Sequence, residues 1–531
     1  MRTSYSLLAG SLFLALTACK TEPDTAAGIG QPVSTHPVSA SYDPAHFEND
    51  DRGEKIRGLA PELQRLIEEH AQARHIPGIA YGVVVDGELV IASATGLLDL
   101  ETEIPATTAS AFRIASMTKS FTAMAILKLR DEGRLSLSEP AEKYVPEMAR
   151  LEYLTSDSPV ITVENLLTMT AGFPEDNPWG DRQLDESVQM LTGLMAGGAS
   201  FSNPASFEFE YSNTGYALLG HIVSVVSGQP YQEYITGHIL KPLGMPNTYW
   251  EYDSIPADQL ARGYRWEDQQ WKPEPMLHDG SFGAMGGLIT TIEDFSKYVS
   301  FHLSAWPPRS GADNGPVKRS SLREMQAPRY PRLFAGGRDW NGEPCALLSG
   351  YGYGLVNTTF CNGVRLVSHG GALPGFGSNY VFFPEYGVGL MAFGNLTYTS
   401  PWPLPAIEKL LFENLALKPR VLPVSAILAE RQQQVADWVR NGDTGVEARI
   451  MAENFFPDHS REHRRAEIEA VLEQAGPIES VGALEPDNQL RGSFKMKAAN
   501  GLVSVFFTLS PEKDLKVQQL DVAFEPHSPE P

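Results

Sequence analysis

The chain has 531 residues, too many for one average domain, and its 42% hydrophobic and 20% charged residues are an ordinary balance for a globular protein with a proper core. A formal net charge of −23 without any run of Lys or Arg sets the surface against phosphate backbones and disfavours a nucleic-acid role. The total says little about a small substrate, because the field in a cleft is set locally.

At the N-terminus, Arg2 supplies a thin positive region and Leu7 to Leu16 a short apolar run, too short to span a bilayer as a stable helix. Leu16-Thr17-Ala18-Cys19 then resembles the lipobox of bacterial lipoproteins, in which cleavage precedes a cysteine that receives lipid. An ordinary secretory signal cut nearby is the alternative. The resemblance implies a signal peptide over residues 1–19 and a lipid anchor on Cys19 at the periplasmic face of the envelope. Lys20 in place of Asp leans the expectation toward the outer membrane. Residues 20–52 are rich in Thr, Pro, Ala, Gly, Ser and Asp and read as a flexible tether. Export would also let the two remaining cysteines, Cys345 and Cys361, pair. Closing that loop is worth about 3 kcal/mol in the chain-entropy model.

An amphipathic helix is expected over Ala60 to Arg74, with Leu63, Leu66 and Ile67 on one face. Strands follow over Ile79 to Val85 and Glu88 to Ser93, joined by Asp86-Gly87, a type I′ hairpin signal. A helix opening at Ser116 turns Phe121, Met124, Leu127 and Leu129 inward and ends at Gly133. The middle reads as mainly helical to about residue 300, with a clear helix from Thr214 to Ser227 closed by Gly228. Strand signals return at Val364 to Ser368, Asn379 to Phe383 and Gly387 to Phe393, before a helix over Pro405 to Leu417. This order gives an α+β fold: one antiparallel sheet built from both chain ends, flanked by helices, with an inserted helical lobe. After about Pro423 a small α+β domain is expected over residues 423–531. Its helices run from Ala426 to Asn441 and Arg461 to Gln474, and its strands near Leu490 to Ala498, Leu502 to Ser510 and Leu515 to Phe524.

Three segments carry chemistry. Ser116-Met117-Thr118-Lys119 places a hydroxyl and an amine three residues apart on one helical face, where a desolvated lysine of lowered pKa can activate the serine. Tyr211-Ser212-Asn213 precedes another helix; a tyrosine beside a lysine can titrate low enough to shuttle a proton. His369-Gly370-Gly371 lies in the strand-rich end, with glycines that let substrate backbone lie along a strand edge. A histidine there is only partly charged at pH 7. His459-Ser460-Arg461-Glu462-His463 fits the zinc-protease pattern H-x-x-E-H, but Arg461, Arg464 and Arg465 crowd it, and it reads as surface histidines.

Phe112 to Ala123, with its Ser-x-x-Lys, resembles the nucleophile segment of the serine β-lactamase/penicillin-binding-protein superfamily. The branch most resembled holds class C β-lactamases, D-alanyl-D-alanine carboxypeptidases, D-aminopeptidases and related esterases. Ile161 to Gly172 is similar to a further segment of that branch, with Met169 where relatives usually carry His. Gly286-Gly287-Leu288-Ile289-Thr290-Thr291 also resembles a branch feature, structural more than catalytic. The resemblance covers roughly residues 55 to 418 and identifies a hydrolase domain over 53–418; the tail resembles nuclear-transport-factor-2-like domains in pattern. It implies an acyl-enzyme on Ser116, proton transfer by Lys119 and Tyr211, and substrate contacts from Asn213, His369, Gly370 and Gly371. The backbone amides of Ser116 and Ala372 would hold the oxyanion, with no metal or organic cofactor. The implied substrates are D-amino-acid peptides, small amides or carboxylic esters. A β-lactamase or penicillin-binding carboxypeptidase, and a non-catalytic envelope scaffold, stand as alternatives, and the oligomeric state stays open.

Overall fold

The structure, a computed structural model, describes Val38, residues 41–49 and residues 51–527. The signal segment, Cys19 and most of the segment read as a tether lie outside the described residues. Among those described, no helix is long and apolar enough to cross a membrane. The chain divides into two compact units, Pro44–Pro423 and a smaller one from Val424 onward that also takes in the described residues up to Asp43.

The larger unit starts earlier than the sequence suggests. His46 pairs with Val421 in an isolated antiparallel bridge, and Arg52–Arg57 is already helical, so the end of the expected tether belongs to the folded unit. Its main sheet has nine strands, and each neighbouring pair is antiparallel. We label them β1 (Gly78–Val85), β2 (Glu88–Asp99), β3 (Ile104–Pro105), β4 (Arg329–Phe334), β5 (Leu347–Tyr351), β6 (Val356–Thr359), β7 (Arg365–Leu373), β8 (Phe376–Phe383) and β9 (Val388–Gly394). The spatial order is β3-β2-β1-β9-β8-β7-β6-β5-β4, so strands from the two ends of the unit meet where β1 pairs with β9.

The alternation along β1 shows how the layers form. Ile79, Tyr81, Val83 and Val85 face one core with Leu63 and Ile67 of helix Ala60–Arg74 and with Ile407 and Leu411 near the end of the unit. Ala80 and Val84 face the other core, with Phe121, Phe295 and the helical lobe. Asp86 and Gly87 make the hairpin at φ 51° and 90°, the left-handed values that turn needs.

Helix Thr118–Asp131 runs through the second core, and eleven of its fourteen residues are buried. Phe121, Met124 and Leu127 are fully buried, each worth about 1.5–3 kcal/mol over exposure. The helix is therefore a fixed axle for the residues at its start. It opens differently from the sequence expectation: Ala115–Met117 form a tight 3₁₀ turn, and the α-helix begins only at Thr118.

Cys345 and Cys361 form a disulfide, with Cα atoms 5.3 Å apart. It joins the connection before β5 to the turn between β6 and β7. The strands β4, β5 and β6 had no clear sequence signal. β4 is almost wholly exposed and carries Pro331, which suits an edge strand but not an alternating pattern. The smaller unit has a four-stranded antiparallel meander, Ile478–Asn488, Arg491–Ala498, Gly501–Leu509 and Val517–Pro526, with helices that include Ala426–Asn441 and Arg461–Ala475. Its first strand carries little sequence signal for a related reason: it is mostly exposed and holds Gly482 and Pro486, so its alternation is faint.

Candidate active site

Ser116 sits in the 3₁₀ turn because Ala115 takes φ 51°, a left-handed value costly for a residue with a Cβ. The turn is clamped from the sheet side. Ser378 Oγ of β8 donates to the Ile114 carbonyl at 2.7 Å. Gly371 of β7 lies so close that a Cβ there would stand 2.2 Å from the Ile114 carbonyl oxygen and 2.3 Å from Ser378 Oγ. Only glycine lets the strand approach the nucleophile turn at this distance. His369, Gly370, Gly371 and Ala372 all lie within β7, which runs further than the expected strand at Val364 to Ser368.

Lys119, the second residue of the helix, is fully buried. Its Nζ contacts Ser116 Oγ at 3.0 Å, Asn213 Oδ1 at 2.6 Å and the Met285 carbonyl at 2.9 Å. Burial lowers its pKa from 10.5 to about 7, partly offset by the charges of Asp176 and Asp181. The segment that opens at Gly286-Gly287, expected to be structural more than catalytic, thus follows a carbonyl that directly holds the lysine. Asn213 is placed in turn by the loop before it. Asp176 accepts from the Asn213 and Thr214 backbone amides at 2.6 and 2.7 Å, and Asn213 Nδ2 donates to Asn177 Oδ1 at 2.7 Å.

Tyr211 lies with its ring centroid 4.9 Å from Lys119 Nζ and hydrogen-bonds Ser116. Contrary to the sequence expectation of a low-titrating tyrosine, burial raises its phenol above the ordinary value, and the bond to Ser116 only partly offsets this. Lys119, not Tyr211, is the group poised near neutrality.

His369 also departs from expectation. Its Nε2 meets Tyr351 Oη at 3.0 Å and its Nδ1 faces the Gly370 carbonyl. Burial, and then the Lys119 charge, lower its pKa to about 3. It is therefore a neutral imidazole, with Nδ1–H given to the carbonyl and Nε2 accepting from Tyr351. The sequence suggested a partly charged side chain because it could not show this enclosure.

These groups converge on one cleft of about 690 Å³, lined by Ser116, Tyr211, His369, Gly370, Gly371 and Ala372. Asn177, Asp181, Tyr351, Ser378 and Tyr398 line it too, and none of them belongs to the three sequence motifs. Met169 is buried in the core and is not among the lining residues. In the smaller unit, His459, His463 and Glu467 bring their ligand atoms within 4.8 Å of one another, but Glu462 of the H-x-x-E-H pattern is not in that group. Glu467 instead pairs with both imidazoles, at 3.5 and 3.3 Å.

With this geometry established, comparison with known proteins gives the family. The chain belongs to the Beta-lactamase family, whose family model matches residues 63–410. It is 30% identical over 378 residues to Protein flp of Staphylococcus aureus strain MW2, a match covering 70% of each chain. It is 26% identical over 374 residues to Beta-lactamase-like protein 2 of Dictyostelium discoideum, covering 66% of this chain and 64% of that one. Among solved structures, the octameric penicillin-binding protein homologue from Pyrococcus abyssi shares the fold, with a TM-score of 0.56 and 23% identity, over 88% of this chain and 98% of that chain.

Proposed function

We propose that this chain is a serine hydrolase of the D-aminopeptidase and esterase kind, forming an acyl-enzyme on Ser116 with amides of D-amino acids or carboxylic esters. The observation that carries the reading is the buried Lys119 amine, 3.0 Å from Ser116 Oγ and held near pKa 7. Neutral Lys119 takes the proton as Ser116 attacks the carbonyl. The Ser116–carbonyl bond forms, and the tetrahedral oxyanion is held by the amides of Ser116 and Ala372. The Lys119 ammonium then gives that proton, relayed through the phenol of Tyr211 beside Ser116, to the leaving group as its bond to the carbonyl breaks, and water hydrolyses the resulting ester.

Two features favour this substrate class over β-lactams or C-terminal D-alanine peptides, which carry a carboxylate. No Lys or Arg lines the cleft among the described residues, and His369 is neutral. We further propose that lipidated Cys19 holds the protein at the periplasmic face of the envelope. The helices and four-stranded meander of the smaller unit are consistent with a nuclear-transport-factor-2-like domain that serves substrate or cell-wall recognition.

A fluorophosphonate should label Ser116, and Ser116→Ala should abolish labelling and turnover of p-nitrophenyl esters and D-aminoacyl amides while the circular dichroism spectrum stays unchanged. Labelling that survives the substitution excludes Ser116 as nucleophile. Strong hydrolysis of a chromogenic cephalosporin with none of esters or amides would favour a β-lactamase instead.

A further inference from the structure

Asp181 is part of none of the motifs. It lines the cleft that holds Ser116, yet it is only 2% exposed, and its Oδ1 has no hydrogen-bond partner. The phenol of Tyr398, also a lining residue, bonds the carboxyl group. Its sequence neighbour Arg182 is engaged elsewhere, 3.4 Å from Glu274. The cation of Lys119 adds a long-range field, but its hydrogen bonds go to Ser116, Asn213 and Met285.

A buried carboxyl oxygen without a partner is costly, and a fold keeps one where something else is gained. Its position is not accidental. Asp176 and Asn177 fasten this loop to Asn213, and Gly180 packs so tightly on that residue that a Cβ would come within 2.8 Å of Asn213 Cβ. The segment that holds the Lys119 partner therefore also delivers Asp181 to the cleft. Asp181 is the one Asp, Glu, Lys or Arg side chain lining it among the described residues. A substrate carboxylate would meet repulsion here, a neutral group would leave the oxygen unpaired, and an ammonium would satisfy it.

We propose that Asp181 is the specificity-determining residue of this site, an anionic subsite that binds the protonated amino group of the substrate beside the reacting carbonyl. The inference rests on the reading of Ser116 as nucleophile and narrows its substrates to amino-bearing amides and esters. The competing role, in which Asp181 only tunes Lys119, predicts no preference for an amino group.

Binding to the Ser116→Ala protein separates recognition from chemistry. Calorimetric Kd values would be measured for D-phenylalaninamide and for 3-phenylpropionamide, its counterpart without the amino group, at pH 7. The expected result is at least tenfold tighter binding of the amino compound, with that ratio collapsing toward one in Ser116→Ala/Asp181→Asn. Equal affinities with Asp181 intact, or a ratio that survives Asp181→Asn, would overturn the proposal, and the first outcome does not depend on the second variant folding. Discrimination in binding by a protein whose Ser116 takes no fluorophosphonate, and which turns over neither p-nitrophenyl esters nor D-aminoacyl amides, would instead refute the hydrolase reading and leave the subsite standing.

Discussion

Lys119 Nζ lies closer to Asn213 Oδ1, at 2.6 Å, than to the serine it is placed to activate, at 3.0 Å. The difference has chemical content. Asn213 Oδ1 and the Met285 carbonyl can only accept, and a neutral amine has two N–H groups and one lone pair. Once the two N–H groups go to those carbonyl oxygens, the lone pair faces Ser116, the one partner of the three with a proton to give. The two acceptors therefore orient the base as well as anchor it.

Because burial brings the Lys119 pKa to about 7, the neutral base becomes populated only as pH rises through that value. The expected kcat/KM rises about tenfold per pH unit below 7 and levels above it. His369, with its pKa near 3, contributes no limb in this range. Substituting His369→Gln should leave the limb where it is, whatever it does to the rate. A limb that disappears with His369 would show that the imidazole is the base.

Asn213 offers a sharper check on the same arrangement. In Asn213→Asp an anion would stand where a neutral oxygen now meets Lys119, favouring the ammonium. The acid limb should then move up by about one unit or more, and kcat/KM at pH 7 should fall roughly fivefold or further. Rates measured from pH 5.5 to 10 test this. An unmoved limb would mean that Lys119 is not the titrating group.

Much of this site could be read from the chain because its chemistry is local. Ser116 and Lys119 share one turn, Tyr211 and Asn213 are two residues apart, and His369 to Ala372 are consecutive. The central strands were equally legible, since β1 and β9 are continuous apolar runs buried along their whole length. What escaped depends on long-range placement. Met285 contributes a backbone carbonyl, which no residue type signals, and Tyr351 and Asp181 reach the cleft from an inconspicuous strand and loop. The protonation states of Tyr211 and His369 escaped for the same reason, because burial sets them and burial belongs to the fold.

Glu408 makes a stability prediction independent of the site. It is 4% exposed on helix Leu404–Lys409, its Oε1 has no hydrogen-bond partner, and burial raises its pKa from 4.5 to about 7. The folded state thus holds this proton more tightly than the unfolded chain. Its contribution is favourable below pH 4.5 and is lost as pH rises to about 7, a difference of roughly 3 kcal/mol. Glu408→Gln keeps the shape and removes the ionisation. Its Tm should exceed that of the parent at pH 8 and match it within a degree or two at pH 4.5. A gain of the same size at both pH values would mean that packing, not ionisation, is responsible.

The two adjacent glycines of β7 should behave oppositely on substitution. At Gly371 an added methyl would meet the Ile114 carbonyl oxygen at 2.2 Å and Ala115 Cβ at 3.1 Å. The first of these is backbone and cannot swing away, so either the strand must withdraw or the nucleophile turn must shift. At Gly370 the nearest atoms would be Asn379 Nδ2 at 3.7 Å and the Ser378 carbonyl oxygen at 3.9 Å, which is ordinary contact. Gly370→Ala should therefore fold with an unchanged Tm, to within about 0.5 kcal/mol. Gly371→Ala should lose 1–3 kcal/mol, the usual cost of overpacking a tight site, to order of magnitude. It should also lose about 10²-fold in kcat, because a displacement of about 1 Å misaligns Ser116 with the amide of Ala372. Thermal melts and ester-hydrolysis rates of the two variants decide the matter. If Gly371→Ala retains parental kcat, close approach of the strand is not what aligns the nucleophile.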